Sequence, residues 1–155
     1  MRALALLLAL TLAWPAAAQD SAETDPLPDV IPGAALVLDG DTLQVRGRQI
    51  HLFGIDAPAL SSVAGWKARA YLEALIGGRP VRCAPITRDR HKHLVARCQV
   101  DGHPVYGTIH LAHIMVFDGY AVEDRHTSHQ RPALARLYRD AETAARRMKS
   151  GFWGE

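Results

Sequence analysis

Apolar and polar positions alternate through residues 34–56. Leu43 and Val45 are set against Gln44 and Arg46, then Ile50 and Leu52 against His51 and Phe53. A period of two marks strands with one buried face. Arg46-Gly47-Arg48 separates the two runs and predicts a hairpin turn. Asp39-Gly40 is a second turn signal, because the pair readily supplies two positive-φ positions. Over residues 66–76 the spacing becomes helical, with Trp66, Ala70, Tyr71 and Leu75 as the apolar set and Gly77-Gly78 as the stop. Residues 81–85 and 94–100 predict two further strands, and residues 111–117 a helix ending before Gly119. Residues 133–148 predict an amphipathic helix, with Leu137, Tyr138, Ala141 and Ala144 on one side and Gly151 closing it. Strands first, helices interspersed and late, with neither a βαβ rhythm nor an internal repeat, define a small β-barrel or α+β domain.

Composition narrows the class. The chain has 155 residues, 48% apolar and 22% charged, which excludes a disordered chain, a collagen and a coiled coil and leaves room for one domain. Its net charge of +2 is too small for a strong nucleic-acid clamp by bulk electrostatics. At the start, Met1-Arg2 precedes an apolar run over residues 3–14 and then Pro15-Ala16-Ala17-Ala18-Gln19. This order reads as a secretory signal peptide cleaved after Ala18, since the run falls short of the ~20 residues that span a bilayer. Residues 19–33 are acidic, Pro-containing and aperiodic, and read as a flexible leader to a domain at 34–155. No later segment is apolar enough to span, so the expected location is the periplasm or the exterior, and the expected state a monomer.

Two cysteines cannot make a dense disulfide framework. A hairpin turning midway between Arg90 and His91 sets Cys83 opposite Cys98, within disulfide reach. In an oxidising compartment the bond is expected.

The segment Val37-Leu38-Asp39-Gly40-Asp41-Thr42-Leu43, followed by Ile50-His51-Leu52-Phe53-Gly54-Ile55-Asp56-Ala57-Pro58, resembles the thermonuclease (staphylococcal nuclease-like) family. The likeness continues through Val81-Arg82-Cys83, the stretch from Asp89 to Cys98, Met115 to Ala121, and Glu142 to Trp153. It implies a five-stranded OB barrel with about three packed helices. It also places a bulge in a long first strand at Asp39-Gly40, and that reading is preferred to the tight turn. In the family two aspartates and a backbone carbonyl hold calcium. Carried over, these are Asp41, Asp56 and the Ala57 carbonyl. The residues agree: a hairpin at Gly47 brings Asp56 close to Asp41, and converging carboxylates repel unless a cation or proton sits between them.

The catalytic positions depart from the family. The resemblance implies metal-assisted phosphodiester hydrolysis, in which a glutamate activates water and two arginines neutralise the phosphate. His51 and His93 stand at the arginine positions and Ala59 at the glutamate. His91 and Lys92 replace the tyrosine and glycine of the second arginine's element, so Arg90 and His91 are the remaining nucleic-acid contacts there. The expected function is an exported binding module that has lost most or all hydrolysis. Its partner is a nucleic acid or other polyanion, a protein, or a metal. One alternative is a divalent-metal nuclease rebuilt on His51 and His93. The other is a periplasmic transition-metal binder, in which imidazoles beside carboxylates suit zinc, manganese or copper better than calcium. The pairs His110 with His113 and His126 with His129 have helical metal-binding spacing but read first as solvated faces. The same holds for Arg125, Arg131, Arg136, Arg139, Arg146, Arg147 and Lys149.

Overall fold

The computed structural model describes residues 26–154; the expected export signal lies outside them. The first strand, Ile31–Gly33 (β1), falls inside the stretch 19–33 expected as a flexible leader, and those three residues are ordered into the sheet. Ile31 is buried and pairs with Cys83. Three residues, the middle one Pro32, are too few to register a period of two.

Ala35–Val37 (β2) pairs antiparallel with Thr42–Val45 (β3), Val37 facing Leu43. The chain thus reverses at residues 38–41, where the Leu38 and Asp39 amides both donate to the Thr42 carbonyl. The preferred bulge is corrected to a turn. Gly40 is needed there for space: a Cβ would come within 2.7 Å of both Ala57 Cβ and Ala68 Cβ. Arg46 and Gly47, with φ of 51° and 75°, make the expected two-residue turn into Arg48–Leu52 (β4). Ile55–Asp56 (β5) follows.

Helix Val63–Ile76 (α1) starts at Ser62, whose hydroxyl accepts the Gly65 N–H, and ends at Gly77 in the left-handed conformation. Its buried stripe is Ala68, Leu72, Leu75 and Ile76, while Trp66 is exposed, so the apolar set differs from the expected one. Val81–Arg88 (β6) and Leu94–His103 (β7) form a long hairpin in which Cys83 faces Cys98, and the two are disulfide-bonded. An irregularity between Pro85 and Thr87 shifts the register, so that Arg88 faces Leu94 and the tip centres on His91. Proline cannot donate to the ladder and commonly sits beside such a bulge.

Gly107–His110 (β8) pairs with β7 and runs into Leu111–Phe117 (α2), Val122–Glu123 (β9), Arg125–Ser128 (α3), Pro132–Met148 (α4) and a final 3-10 turn, Gly151–Gly154. On α4 the buried stripe is Ala135, Tyr138, Ala141 and Ala145, with Leu137 exposed. The main sheet runs β1-β6-β7-β4-β3-β2 with β8 on β7, and β5 pairs β9 separately. Gly33 of β1 comes back against Val45 of β3, so the sheet is nearly closed into the expected OB-type barrel. Leu43, Val45, Ile50, Val81 and Val100 fill it. Among the described residues no helix is long and apolar enough to cross a membrane.

The arginines of the last third are not simply a wet face. Arg139 pairs at 3.0 Å with the buried Glu123 carboxylate, which also accepts from the Ser128 hydroxyl at 2.7 Å. Arg146 bridges Glu142 at 2.7 Å and lies over the Trp153 ring.

Candidate functional site

Alternation on β4 sends Ile50 and Leu52 into the core and leaves His51 at the rim. The parallel ladder to β7 sets His51 beside Val95, two residues past His93, and the two imidazole centroids are 5.7 Å apart. Asp89 lies between them. Its Oδ2 is 3.4 Å from His51 Nε2 and 3.2 Å from His93 Nδ1. The hairpin tip fixes this carboxylate, because Oδ1 accepts the His91 and His93 amides at 2.8 and 2.9 Å. Partial burial pushes the Asp89 carboxyl up, but those amides and the His93 ring outweigh it and hold the group below its usual range.

Thr42 faces His51 across the β3–β4 ladder. Its hydroxyl donates to Asp41 Oδ1 at 2.8 Å and sits 2.9 Å from His51 Nδ1. A hydroxyl has one proton. With that proton on Asp41, the contact to His51 requires Nδ1–H to donate, so the neutral ring carries its lone pair on Nε2. Asp41 Oδ2 accepts the Ala57 N–H at 2.7 Å. Burial pushes the Asp41 carboxyl up to about 7, and Asp39 adds to the shift against the hydrogen bonds from Ala57 and Thr42. Asp39 itself is raised by burial but held below its usual range by its hydrogen bonds to Asp41. The two neighbouring acids are thus pushed in opposite directions.

Asp56 is raised by burial and by the charges of Asp124 and Asp39. The β5–β9 ladder explains the first neighbour: Asp56 faces Val122, and the Asp124 amide donates to the Gly54 carbonyl. Asp124 caps α3 through the His126 amide and the Thr127 hydroxyl. A hollow of about 450 Å³ joins Asp41, Asp56, Asp124, His51, Asp89 and Arg90. Carboxylates driven upward by one another and by burial fit a hard cation with oxygen ligands. Asp41 and Asp56, which both line the hollow, would hold it, and such an ion polarises a phosphoryl oxygen when bound.

The expected site residues therefore gather, with exceptions. Asp41, Asp56, His51 and Arg90 line one hollow, and His93 joins through Asp89. His91 does not: its Nε2 accepts from Arg90 Nε at 3.1 Å. Ala59 serves the start of α1, its carbonyl taking the Ser62 amide and hydroxyl. Of the other histidines, His110 lies 3.3 Å from an Arg97 nitrogen, and His113 packs near Phe117. Among the described residues, the one grouping of three metal-ligating side chains is His51, Asp89 and His93.

Sequence reasoning gave no role to Asp89, Thr42, Asp39 or Asp124. An aspartate two residues before a turn position is a signal for a side chain that caps its own loop, and it was present at both Asp39 and Asp89. Asp124 had none, since its place depends on a strand pairing 68 residues away. A larger hollow of about 700 Å³ is lined by Arg82, Arg97 and Arg131 among apolar side chains. It contains no acid or imidazole and so none of this chemistry.

The fold and the paired acids at its rim define a nuclease-type OB barrel, and comparison with known proteins agrees. The family described as Staphylococcal nuclease homologue matches residues 49–155. Succinoglycan biosynthesis protein ExoI of Rhizobium meliloti (strain 1021) is 30% identical over 133 residues, covering 78% of this chain. The chain belongs to the staphylococcal nuclease-like family, whose cation is calcium. It spans 63% of the length of ExoI.

Proposed function

We propose that this protein is an exported thermonuclease-type barrel that binds a ligand through the old cleft rather than hydrolysing phosphodiesters. One observation carries the reading. The hollow at the rim is lined by four aspartates (Asp41, Asp56, Asp89 and Asp124) against a single arginine, Arg90. A phosphodiester anion entering it meets net negative charge where the family places a cationic clamp. Both imidazoles at the arginine positions point to Asp89, and Ala59 offers no proton acceptor.

Magnitudes support the same conclusion. Each lost transition-state donor costs about 10²–10³ in rate, and a lost general base about 10²–10⁴. Imidazole does not reproduce the bidentate fork of arginine.

The test is incubation of the purified chain with DNA and RNA in calcium. No cleavage above background is expected. Clear turnover abolished by Asp41→Ala overturns the proposal. A rebuilt nuclease, favoured by the proximity of His51, Asp89 and His93, requires turnover with magnesium, manganese or zinc that falls sharply in His51→Ala and His93→Ala.

A further inference from the structure

We propose that His51, Asp89 and His93 form a zinc site, separate from the oxygen-donor position at Asp41 and Asp56, with a fourth coordination place open to the rim hollow. The donor atoms are His51 Nε2, Asp89 Oδ2 and His93 Nδ1.

Three observations on this chain lead there. The first is spacing. Ligand atoms about 2.0–2.2 Å from a tetrahedral zinc stand about 3.3 Å from one another. Asp89 Oδ2 is 3.4 Å from His51 Nε2 and 3.2 Å from His93 Nδ1, and each of the three residues offers a ligand atom within 4.8 Å of those of the other two.

The second is the tautomer. Thr42 spends its hydroxyl proton on Asp41 and so takes the Nδ1 proton of His51. The neutral ring then turns the lone pair of Nε2 toward a carboxylate oxygen. Two electron-rich atoms at that distance repel unless a cation or a proton sits between them, and the one other polar neighbour of that nitrogen among the described residues, the Gln49 amide, is at the outer limit of a hydrogen bond at 3.5 Å. A ligating histidine whose other nitrogen is fixed by a hydrogen bond is the usual outer-shell arrangement of metal sites.

The third is preorganisation. Both amides at the hairpin tip grip Asp89 Oδ1 and leave Oδ2 for the ion. The ligand side chains remain a quarter to two-fifths exposed (33%, 24% and 38%), so an ion can enter. Two imidazoles and one carboxylate suit zinc, whereas calcium prefers an all-oxygen shell.

The experiment is calorimetric titration of the full chain, disulfide intact, with zinc chloride alone, followed by cobalt substitution read by visible absorption. One zinc per chain is expected, with excess calcium failing to displace it, and an intense tetrahedral cobalt spectrum. His51→Gln and His93→Gln should each weaken binding at least about 10-fold. Thr42→Val removes no ligand atom, yet should weaken it about 10- to 100-fold by releasing the His51 tautomer. His126→Gln should leave it unchanged. Far-ultraviolet circular dichroism checks each fold; His93, on the hairpin tip, carries the test if His51→Gln does not fold.

Binding no tighter than millimolar overturns the proposal, because a ring proton then satisfies the His51–Asp89 contact. So does binding that survives in the His51→Gln/His93→Gln double variant. No substrate enters the titration, so its failure is distinct from a failure of the binding-module reading, which rests on the cleavage assay.

Discussion

The Asp41 amide donates to Asp39 Oδ1 at 3.1 Å across a single glycine, in the turn that joins the first hairpin of the barrel. Burial and the neighbouring charge raise Asp41 from an ordinary 3.8 to about 7. A group raised on folding contributes stability that is complete below its unfolded value and is lost as pH climbs through its folded value. Asp39, held low, acts in the opposite sense, but its window lies below 3.8. Stability should therefore fall between pH 3.8 and about 7 on account of Asp41. Urea midpoints measured across this range should slope downward in the wild type and flatten in Asp41→Asn. An unchanged slope in the variant assigns the effect elsewhere.

His51, Ala59 and His93 stand where the family resemblance implies two arginines and a glutamate. Restoring them together, as His51→Arg/Ala59→Glu/His93→Arg, should produce calcium-dependent cleavage of denatured DNA. The gain over wild type should be at least about 10²-fold, the smallest loss expected from one missing donor. A correctly folded triple variant with no gain means that the deficit lies outside these residues.

The Cys83–Cys98 bond closes a loop with a sequence separation of 15. Its removal in Cys83→Ser/Cys98→Ser should lower the unfolding free energy by about 3 kcal/mol. A reductant should do the same to the wild type and nothing further to the double variant. Equal stability of all three samples contradicts this.

Gly40 leaves no room for a side chain between Ala57 and Ala68. Gly40→Ala should cost about 1–3 kcal/mol, the usual penalty of overpacking. Because the turn also positions Asp41 against the Ala57 amide, the variant should shift the pH dependence described for Asp41. A neutral substitution by thermal melting contradicts the packing argument.

Local chemistry explains which parts were legible from residues alone. The Arg46-Gly47 turn, α2 and the opposition of Cys83 to Cys98 were all set by neighbours in sequence or by hairpin symmetry, and the structure agrees. The stripes of α1 and α4 were misjudged because Trp66 and Leu137 are apolar yet exposed; periodicity cannot say which of two adjacent stripes meets the barrel. Ile31 was missed because its only partner lies 52 residues away at Cys83. In the site, the positions of Asp41, Asp56, His51 and His93 were legible from the family likeness. Thr42 was not, and Asp89 was legible only as a cap of its own loop; their contacts with His51 come from the β3–β4 ladder and the parallel β4–β7 ladder, which no local pattern encodes.

That parallel ladder links only three residue pairs, Ile50 with Leu94 through Leu52 with Ala96, yet it is the seam along which the two halves of the rim meet. One hairpin brings His51, the other Asp89 and His93. Neither hairpin holds all three side chains, so transplanting either alone into another barrel of the family should carry across none of the proposed zinc binding.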